Sequence, residues 1–219
     1  MSQLRCNGKV PTIVFGEVAR DIVACKEVVD WLQYPVPGFE DFIVIITDSA
    51  VEYEERIDAF LQSVVNGRLY YMVLDMNDSL DRQRFRNKWM SYNIIGGNKV
   101  ETVIQILHNI YAHILKTGMI SYDFTDLQYI LKQGCFVQSV CFKGELSDWL
   151  ESFQIQANAS YSFGLTLNLD DGERVKDNLD VLHEWFCRLG NNPEVKISLQ
   201  PDEDEDMETI VIWTYDDEY

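Results

Sequence analysis

The sequence has little positive charge. Its 219 residues include 18 lysines and arginines against 36 aspartates and glutamates, and the formal net charge is −18 at pH 7. Surfaces that bind nucleic acid or anionic lipid place lysine and arginine against phosphate groups. This charge balance predicts a protein that binds neither nucleic acid nor a membrane surface, and the acidity favours solubility.

Long apolar runs are lacking as well, and cysteine and histidine are few. No run approaches the roughly 18 apolar residues of a membrane-spanning helix. Residues 1–6 do not follow the basic-then-apolar order of a signal peptide. The five cysteines are odd in number and irregularly spaced, which is typical of reduced thiols. His108 and His113 lie about 140° apart around a helix axis, so they do not predict a zinc pair. These features predict a cytoplasmic protein without a metal site.

Glycine is also too sparse for a phosphate-binding loop. Phosphate oxygens need converging backbone N–H groups, and glycine lets the backbone come close enough to supply them. No Gly-x-Gly occurs among the 12 glycines, and the single adjacent pair, Gly96 and Gly97, is interpreted as a turn before a helix. Gly16 is followed by Glu17, whose carboxylate would repel phosphate. No nucleotide cofactor is therefore expected.

Three continuous apolar runs, rich in β-branched residues, predict strands covered on both faces. They are Thr12–Phe15, Phe42–Ile46 and Leu69–Leu74, and helical patterns over Val18–Leu32 and Tyr53–Val65 separate them. Strands that alternate with helices through short connections form parallel sheets. Residues 1–98 are therefore predicted to form an α/β unit with a short three-stranded parallel sheet and flanking helices.

The remainder is predicted to contain a central helix and an α+β domain. Apolar residues recur at helical spacing over residues 99–117, and residues 99–134 are interpreted as this long central helix with the loop and helix that follow it. Residues 135–219 are predicted to hold a half-buried strand at 161–167, an amphipathic helix at 173–189 and two strands, Val195–Leu199 and Ile210–Ile212. The acidic turn Asp202–Asp206 is expected to join these last two strands as a hairpin.

Two carboxylates follow the central helix three residues apart, Asp123 and Asp126. One interpretation is local, because an aspartate at the start of a helix caps free N–H groups and Asp126–Lys132 has a helical pattern. A second is general-base chemistry on water. A third is Mg²⁺ binding, which needs one or two carboxylates together with phosphate oxygens. The spacing alone does not separate these interpretations.

The segment around the two carboxylates resembles the synergy loop of FtsZ, the bacterial relative of tubulin. That loop has a basic residue, one further residue, glycine, two apolar residues and then Asn-x-Asp-Phe-x-Asp. Lys116, Gly118, Asp123, Phe124 and Asp126 fall in step with it, whereas Ser121 stands where the family has asparagine. Residues 162–215 are similar in order and length to the FtsZ C-terminal domain. The three early strands look like the fourth to sixth strands of its nucleotide domain.

The resemblance implies an FtsZ-like chain without a nucleotide pocket of its own. The family's first three strands have no counterpart, and its glycine-rich signature is reduced to Gly16. The positions that hold guanine are occupied by Gly96 and Val100. In the family, the synergy-loop carboxylates act on the nucleotide of the next subunit. Asp123 and Asp126 are therefore expected to act, if at all, on a neighbouring subunit, and no intact catalytic site is expected.

The resemblance therefore predicts a non-catalytic interaction or assembly protein of the bacterial cell-division cytoskeleton. Its partner would be a protein, such as an FtsZ-like GTPase whose filament it caps or modulates. The alternative is a divergent GTPase of the family that binds GTP and Mg²⁺. With the first three strands missing, Thr12–Phe15 would lie at an open sheet edge, and open edges tend to pair. We expect a homodimer through this edge or its coverage by residues 1–10.

Overall fold

The computed structural model describes residues 12–25, 42–64, 70–78, 81–89, 91–110, 124–155, 159–169, 172–189, 193–201 and 209–216. The chain divides into two compact units, Met1–Tyr111 and Ala112–Tyr219. Among the described helices, none combines the length and the apolar character that a membrane crossing requires.

The first unit alternates strands and helices. Its elements are β1 (Thr12–Phe15), α1 (Glu17–Ala24), β2 (Phe42–Thr47), α2 (Ala50–Val64), β3 (Tyr70–Asp75), α3 (Arg82–Lys88), β4 (Tyr92–Ile95) and α4 (Lys99–His108). The four strands lie in the order β1, β2, β3, β4, and each pairs with its neighbour in parallel. The predicted α/β class is confirmed.

The continuous apolar runs form the centre of this sheet. Val44, Ile45 and Ile46 of β2 and Val73 and Leu74 of β3 are fully buried. Because successive residues of a strand point to opposite faces, complete burial along a run means that both faces of the sheet are covered. The prediction of strands covered on both faces is therefore confirmed for β2 and β3, whereas Thr12, Ile13 and Val14 of β1 are only half-buried.

The prediction of three parallel strands in this unit is wrong, because β4 adds a fourth. Its residues pair with the end of β3, with Tyr92 opposite Val73 and Ile94 opposite Asp75. All four residues of β4 are buried. Asn93 interrupts its apolar residues, so the sequence shows no continuous apolar run there. The strand also directly precedes the Gly96–Gly97 turn, so the sequence analysis interpreted this region only as the approach to the central helix.

Strand β1 lies at the first position of the sheet order and pairs with β2. The Phe15 carbonyl accepts a hydrogen bond from the backbone N–H of Asp48, which directly follows β2. Backbone groups of alternate strand residues point to opposite sides. Those of Ile13 and Phe15 therefore face β2, and those of Val14 point away from it. Residues 1–10, the alternative cover of this edge, lie outside the described residues.

Helices α1, α2 and α4 begin close to their predicted starts, whereas α3 was not predicted. Helix α1 ends at Ala24, since Cys25 has an extended backbone with φ −63° and ψ 140°. The rest of the span predicted for it, residues 26–32, lies outside the described residues. Helix α4 accounts for the first part of the predicted central helix, and residues 111–117 are not described. Gly97 has φ +64°, and the Gly96 carbonyl accepts a hydrogen bond from Thr102 Oγ1 at 3.2 Å, as in a turn that leads into a helix.

The second unit combines four strands with three described helices. Its elements are α5 (Phe124–Gln133), β5 (Phe136–Phe142), α6 (Leu146–Ser152), β6 (Ser160–Leu169), α7 (Gly172–Leu189), β7 (Glu194–Pro201) and β8 (Thr209–Asp216). The strand order is β5, β8, β6, β7. Strand β8 is antiparallel to β5 and to β6, whereas β6 and β7 are parallel and are joined through α7.

The predicted hairpin between the last two strands is therefore wrong. Strand β8 lies between β5 and β6, and β7 pairs with β6 on the other side. The sequence shows two strands with an acidic connection, which is compatible with a hairpin. A parallel β6–α7–β7 crossover uses β6 as the partner of β7, and β8 then pairs with the other edge of β6.

The sheet of the second unit is covered on both faces. Trp185 of α7 lies 5.5 Å from the Phe163 ring on one face. On the other face, Thr214 Oγ1 donates to the Ile130 carbonyl of α5 at 2.8 Å. The half-buried character predicted for 161–167 is wrong, since every residue from 161 to 167 is buried. The polar positions of this strand are small residues, and small residues allow a helix to approach closely.

Candidate functional site

The carboxyl ends of the first-unit strands bring polar residues to one edge of the sheet. Gly16 follows β1, Asp48 follows β2, Asp75 ends β3 and Gly96 follows β4. Parallel strands place these ends at the same edge, which is where open α/β sheets bind ligands. A nucleotide bound by this unit would therefore be expected at this edge.

Asp48 occupies the N-terminus of α1. Its Oδ1 accepts a hydrogen bond from the Ala19 N–H at 2.7 Å, and its Oδ2 accepts one from the Val18 N–H at 3.1 Å. These are orphan donors of a helix start, which attract anions such as phosphate. In this chain they bind a carboxylate of the protein itself.

Gly16 permits this contact. Its φ is +118°, and a Cβ at this position would lie 2.1 Å from Asp48 Cγ. Gly16 thus makes room for a side chain of the protein itself. Glu17, which the sequence analysis placed against phosphate, is exposed at the first position of α1. Asp48 was not singled out from the sequence, although its place directly after a buried strand is a usable signal.

Asp75 is fully buried next to this edge. Its Oδ1 accepts hydrogen bonds from the Ala50 and Asn77 N–H groups at 3.1 and 3.0 Å, and its Oδ2 accepts one from the Tyr92 hydroxyl at 2.7 Å. Burial raises the pKa of this carboxyl above its ordinary value, and the hydrogen bonds, led by that of Tyr92, oppose the rise. Asp75 connects β3, β4 and the start of α2.

The positions expected to face guanine, Gly96 and Val100, carry no polar side chain. Gly96 has no side chain, and Val100 has no polar side-chain atom and is 41% exposed. The neighbouring Lys99 ammonium donates to the Met76 carbonyl. The ammonium therefore holds the end of β3 against the start of α4.

Asp126 lies in the second unit, at the third residue of α5. Its Oδ1 is 3.0 Å from the Lys196 ammonium of β7, and both side chains are about one-third exposed. The hydrogen bond and charge of Asp126 raise the pKa of Lys196 above its ordinary value. Asp123 lies outside the described residues, so the arrangement of the two carboxylates is not described. Asp126 lies inside the first turn rather than at the N-cap.

Further contacts surround this ion pair. The Tyr129 hydroxyl donates to Glu194 Oε1 at 3.1 Å, and the Lys196 ammonium lies 5.6 Å from the centre of the Tyr129 ring. Helix α5 and strand β7 are thus connected by two polar contacts and one cation–π contact. Lys196 was not singled out from the sequence, because its spacing from Asp126 along the chain gives no local signal.

Metal ligands are not clustered in the part of the chain that the structure describes. No group of three or more His, Cys, Asp or Glu side chains is arranged there to hold an ion.

The fold can be compared with known proteins. No protein-family model matches the sequence, and no curated protein sequence matches it. Among solved structures, a mutant FtsZ of M. jannaschii has 13% identity and a TM-score of 0.40 over 92% of this chain and 63% of its own. CetZ1 of Haloferax volcanii has 9% identity and a TM-score of 0.47 over 92% of this chain and 71% of its own. TubZ-Bt, in a four-stranded filament, has 14% identity and a TM-score of 0.42 over 93% of this chain and 59% of its own.

These matches concern the fold. They include FtsZ, whose family the sequence resembles, and they extend along nearly the whole of this chain. The chain in turn spans about three-fifths of the length of the FtsZ and TubZ-Bt chains. At identities below 15% the likeness is one of architecture, and the nucleotides and filaments of those proteins are not thereby assigned to this chain.

Proposed function

We propose that this chain is a non-catalytic FtsZ/tubulin-like interaction or assembly protein. It binds a protein partner of the cell-division cytoskeleton in the bacterial cytoplasm, and it caps or modulates the filament of a true FtsZ. It does so without binding GTP or Mg²⁺ itself. Such a protein, which has the fold of a GTPase family without its activity, is called a pseudo-GTPase.

The observation that carries this proposal is the carboxylate of Asp48 at the start of α1. A phosphate bound there would have to displace a group that makes two hydrogen bonds to backbone N–H donors, at 2.7 and 3.1 Å. It would also lie against the negative charges of Asp48 and Glu17. Two unit charges about 4 Å apart repel by roughly 1 kcal/mol in water and by more in a cleft. The contact therefore favours an α1 N-terminus without a nucleotide.

The strand order supports the same proposal. Open α/β sheets bind ligands where the strand order reverses. The order of the described strands, β1 to β4, runs in one direction and has no reversal.

The contacts of Asp126 support a non-catalytic role for the synergy-like loop. A carboxylate that acts on the nucleotide of a neighbour must be available to water or metal there. Asp126 instead forms an ion pair with Lys196 of its own unit. We propose that Asp123, Asp126 and their surroundings contact a neighbouring subunit as a docking surface and not as a general base.

Nucleotide binding tests the first half of the proposal. Isothermal titration of the full chain with GTP and GDP, each with and without Mg²⁺, is expected to give no heat of specific binding. Asp48→Asn removes the charge and keeps one acceptor, so it is the matched variant. Micromolar binding by the wild type would overturn the proposal and restore the GTPase alternative.

Co-sedimentation with an FtsZ tests the second half. The wild type is expected to change the polymer mass and GTP turnover of the FtsZ, and Asp123→Ala and Asp126→Ala are expected to weaken this effect. Asp177→Ala removes an exposed carboxylate of α7 and serves as the control. Unchanged polymer mass and turnover with the wild type would rule out the modulator role.

A further inference from the structure

The second unit carries a cavity of about 360 Å³ whose lining is mostly aromatic. Trp149, Phe153, Tyr161, Trp213 and Tyr215 contribute rings to it. Tyr161 and Tyr215 lie directly opposite each other on β6 and β8. The cavity therefore opens on the sheet face that α6 partly covers. Its size falls in the range of sites that take a side chain or a small ligand.

The rings that line the cavity are steeply inclined to one another. Trp149 and Trp213 lie 5.8 Å apart at 60°, and Phe153 and Tyr161 lie 5.8 Å apart at 71°. The lining therefore contains aromatic rings in several orientations. Ring faces carry the negative part of the aromatic quadrupole, and they attract lysine, arginine and other cations.

The remaining lining side chains are uncharged and polar. They belong to Gln138, Ser152 and Gln154. Gln138 Nε2 donates to the Tyr215 hydroxyl at 3.3 Å, so its amide is oriented within the lining. Because no cation lines the cavity, a guest cation would meet ring faces and hydrogen-bonding groups without like-charge repulsion.

Acidic residues lie next in sequence to two residues of the lining. Helix α6, which supplies Trp149 and Ser152, also carries Asp148 and Glu151, and both are exposed. The whole chain has a net charge of −18. A field of this sign raises the local concentration of cationic ligands and repels anionic ones. Charge complementarity thus selects a basic ligand over an acidic one.

We propose that this cavity, lined by Trp149, Phe153, Trp213 and Gln138, binds an arginine side chain of a basic peptide segment in a protein partner. Guanidinium is planar, weakly hydrated and able to stack on aromatic faces while donating to amide oxygens. The site is independent of the proposed FtsZ-like function, because it uses neither the synergy-like loop nor the sheet edge of the first unit.

Tryptophan fluorescence of the full chain measures this binding. The probes are the peptides Gly-Ser-Arg-Gly-Ser and Gly-Ser-Pro-Gly-Ser, both blocked at their ends, at low salt. The arginine peptide is expected to change the fluorescence saturably, and the proline peptide is not. Raising the salt concentration is expected to weaken the binding of the arginine peptide. Absence of saturable binding by the arginine peptide, or equal binding of the two peptides, would overturn the proposal.

Charge changes at Gln138 locate the site. Gln138→Glu is expected to bind the arginine peptide roughly fivefold more tightly and Gln138→Lys roughly fivefold more weakly, as for a unit charge at about 4 Å in water. Asp180→Lys on α7 changes the net charge by the same two units as an Asp148→Lys exchange on α6, but α7 contributes no residue to the lining, whereas Asp148 directly precedes the lining residue Trp149. Asp148→Lys is expected to weaken binding more than Asp180→Lys. Equal affinities of the two Gln138 variants would rule out this cavity as the site, and equal effects of the two lysine variants would rule out guidance by the acids of α6.

Discussion

Asp48 binds two backbone N–H groups at the start of α1, and its substitution measures what this contact contributes to stability. Asp48→Ala leaves both donors without their acceptor and is expected to lower the free energy of unfolding by about 1–2 kcal/mol, as loss of a helix cap does. Asp48→Asn is expected to cost less, because the amide retains one acceptor. Urea denaturation followed by circular dichroism measures both.

The control for Asp48 is Asp21→Ala, which removes an exposed carboxylate from α1 itself. This change is expected to alter the free energy of unfolding by less than about 0.5 kcal/mol. Equal losses for Asp48→Ala and Asp21→Ala would show that the contact at the helix start contributes nothing specific.

Asp75 predicts a pH dependence of stability. Its pKa is raised in the folded state above the ordinary value of 3.8. Between 3.8 and the raised value, the unfolded chain has lost this proton while the folded chain retains it. The folded state binds more protons there. The contribution of Asp75 to the free energy of unfolding therefore falls as the pH rises through this window and stays constant above it.

The variant Asp75→Asn removes this titration and preserves the shape of the side chain. The wild type is expected to lose stability relative to Asp75→Asn as the pH rises from below 3.8 through the raised pKa. The expected difference is about 1.4 kcal/mol for each unit of pKa shift. Urea denaturation of both proteins at a series of pH values measures it. A wild-type stability that rises relative to the variant over this window would contradict the raised pKa.

At the scale of elements, the packing of α5 against β8 depends on Gly134, the residue that follows α5. A Cβ at Gly134 would lie 2.4 Å from the Tyr215 backbone N and 2.8 Å from Thr214 Cβ. Gly134→Ala is therefore expected to push the helix end away from the strand and to cost about 1–3 kcal/mol. Thermal unfolding is the measurement. Gln133→Ala, an exposed change in α5, is the control and is expected to be nearly neutral; a neutral Gly134→Ala would contradict the close approach.

The elements differ in how far the sequence predicts them. Strands β1, β2 and β3 are continuous apolar runs, and helices α2 and α7 have a helical period over enough residues to be recognised. Strand β4 contains Asn93 among its apolar residues and precedes a glycine pair, so its pattern is ambiguous. The pairing of β8 between β5 and β6 depends on contacts distant in sequence, which periodicity does not contain. The same is true of the Asp48–α1 and Asp126–Lys196 contacts, whose partners are separated by 30 and 70 positions.

At the scale of the whole molecule, β1 is the first strand in the sheet order and lies at the edge of the parallel strands of the first unit. Edge strands tend to pair with other chains unless they are protected. Strand β1 is short and carries no charged residue, and three of its four residues, Thr12, Ile13 and Val14, are half-buried. These features favour edge pairing between two copies of the chain, which we expect to form a homodimer.

Proline substitutions in β1 test this homodimer. The backbone groups of Val14 point away from β2, so Val14→Pro removes an outward donor and leaves the pairing with β2 intact. Sedimentation velocity is expected to show a dimer for the wild type and a monomer for Val14→Pro, with the same circular dichroism spectrum. Ile13→Pro removes an N–H group that faces β2, and it is expected to lower the unfolding temperature. A wild type that sediments as a monomer would contradict the homodimer and favour coverage of the edge by residues 1–10. A Val14→Pro variant that remains dimeric would place the dimer contact elsewhere.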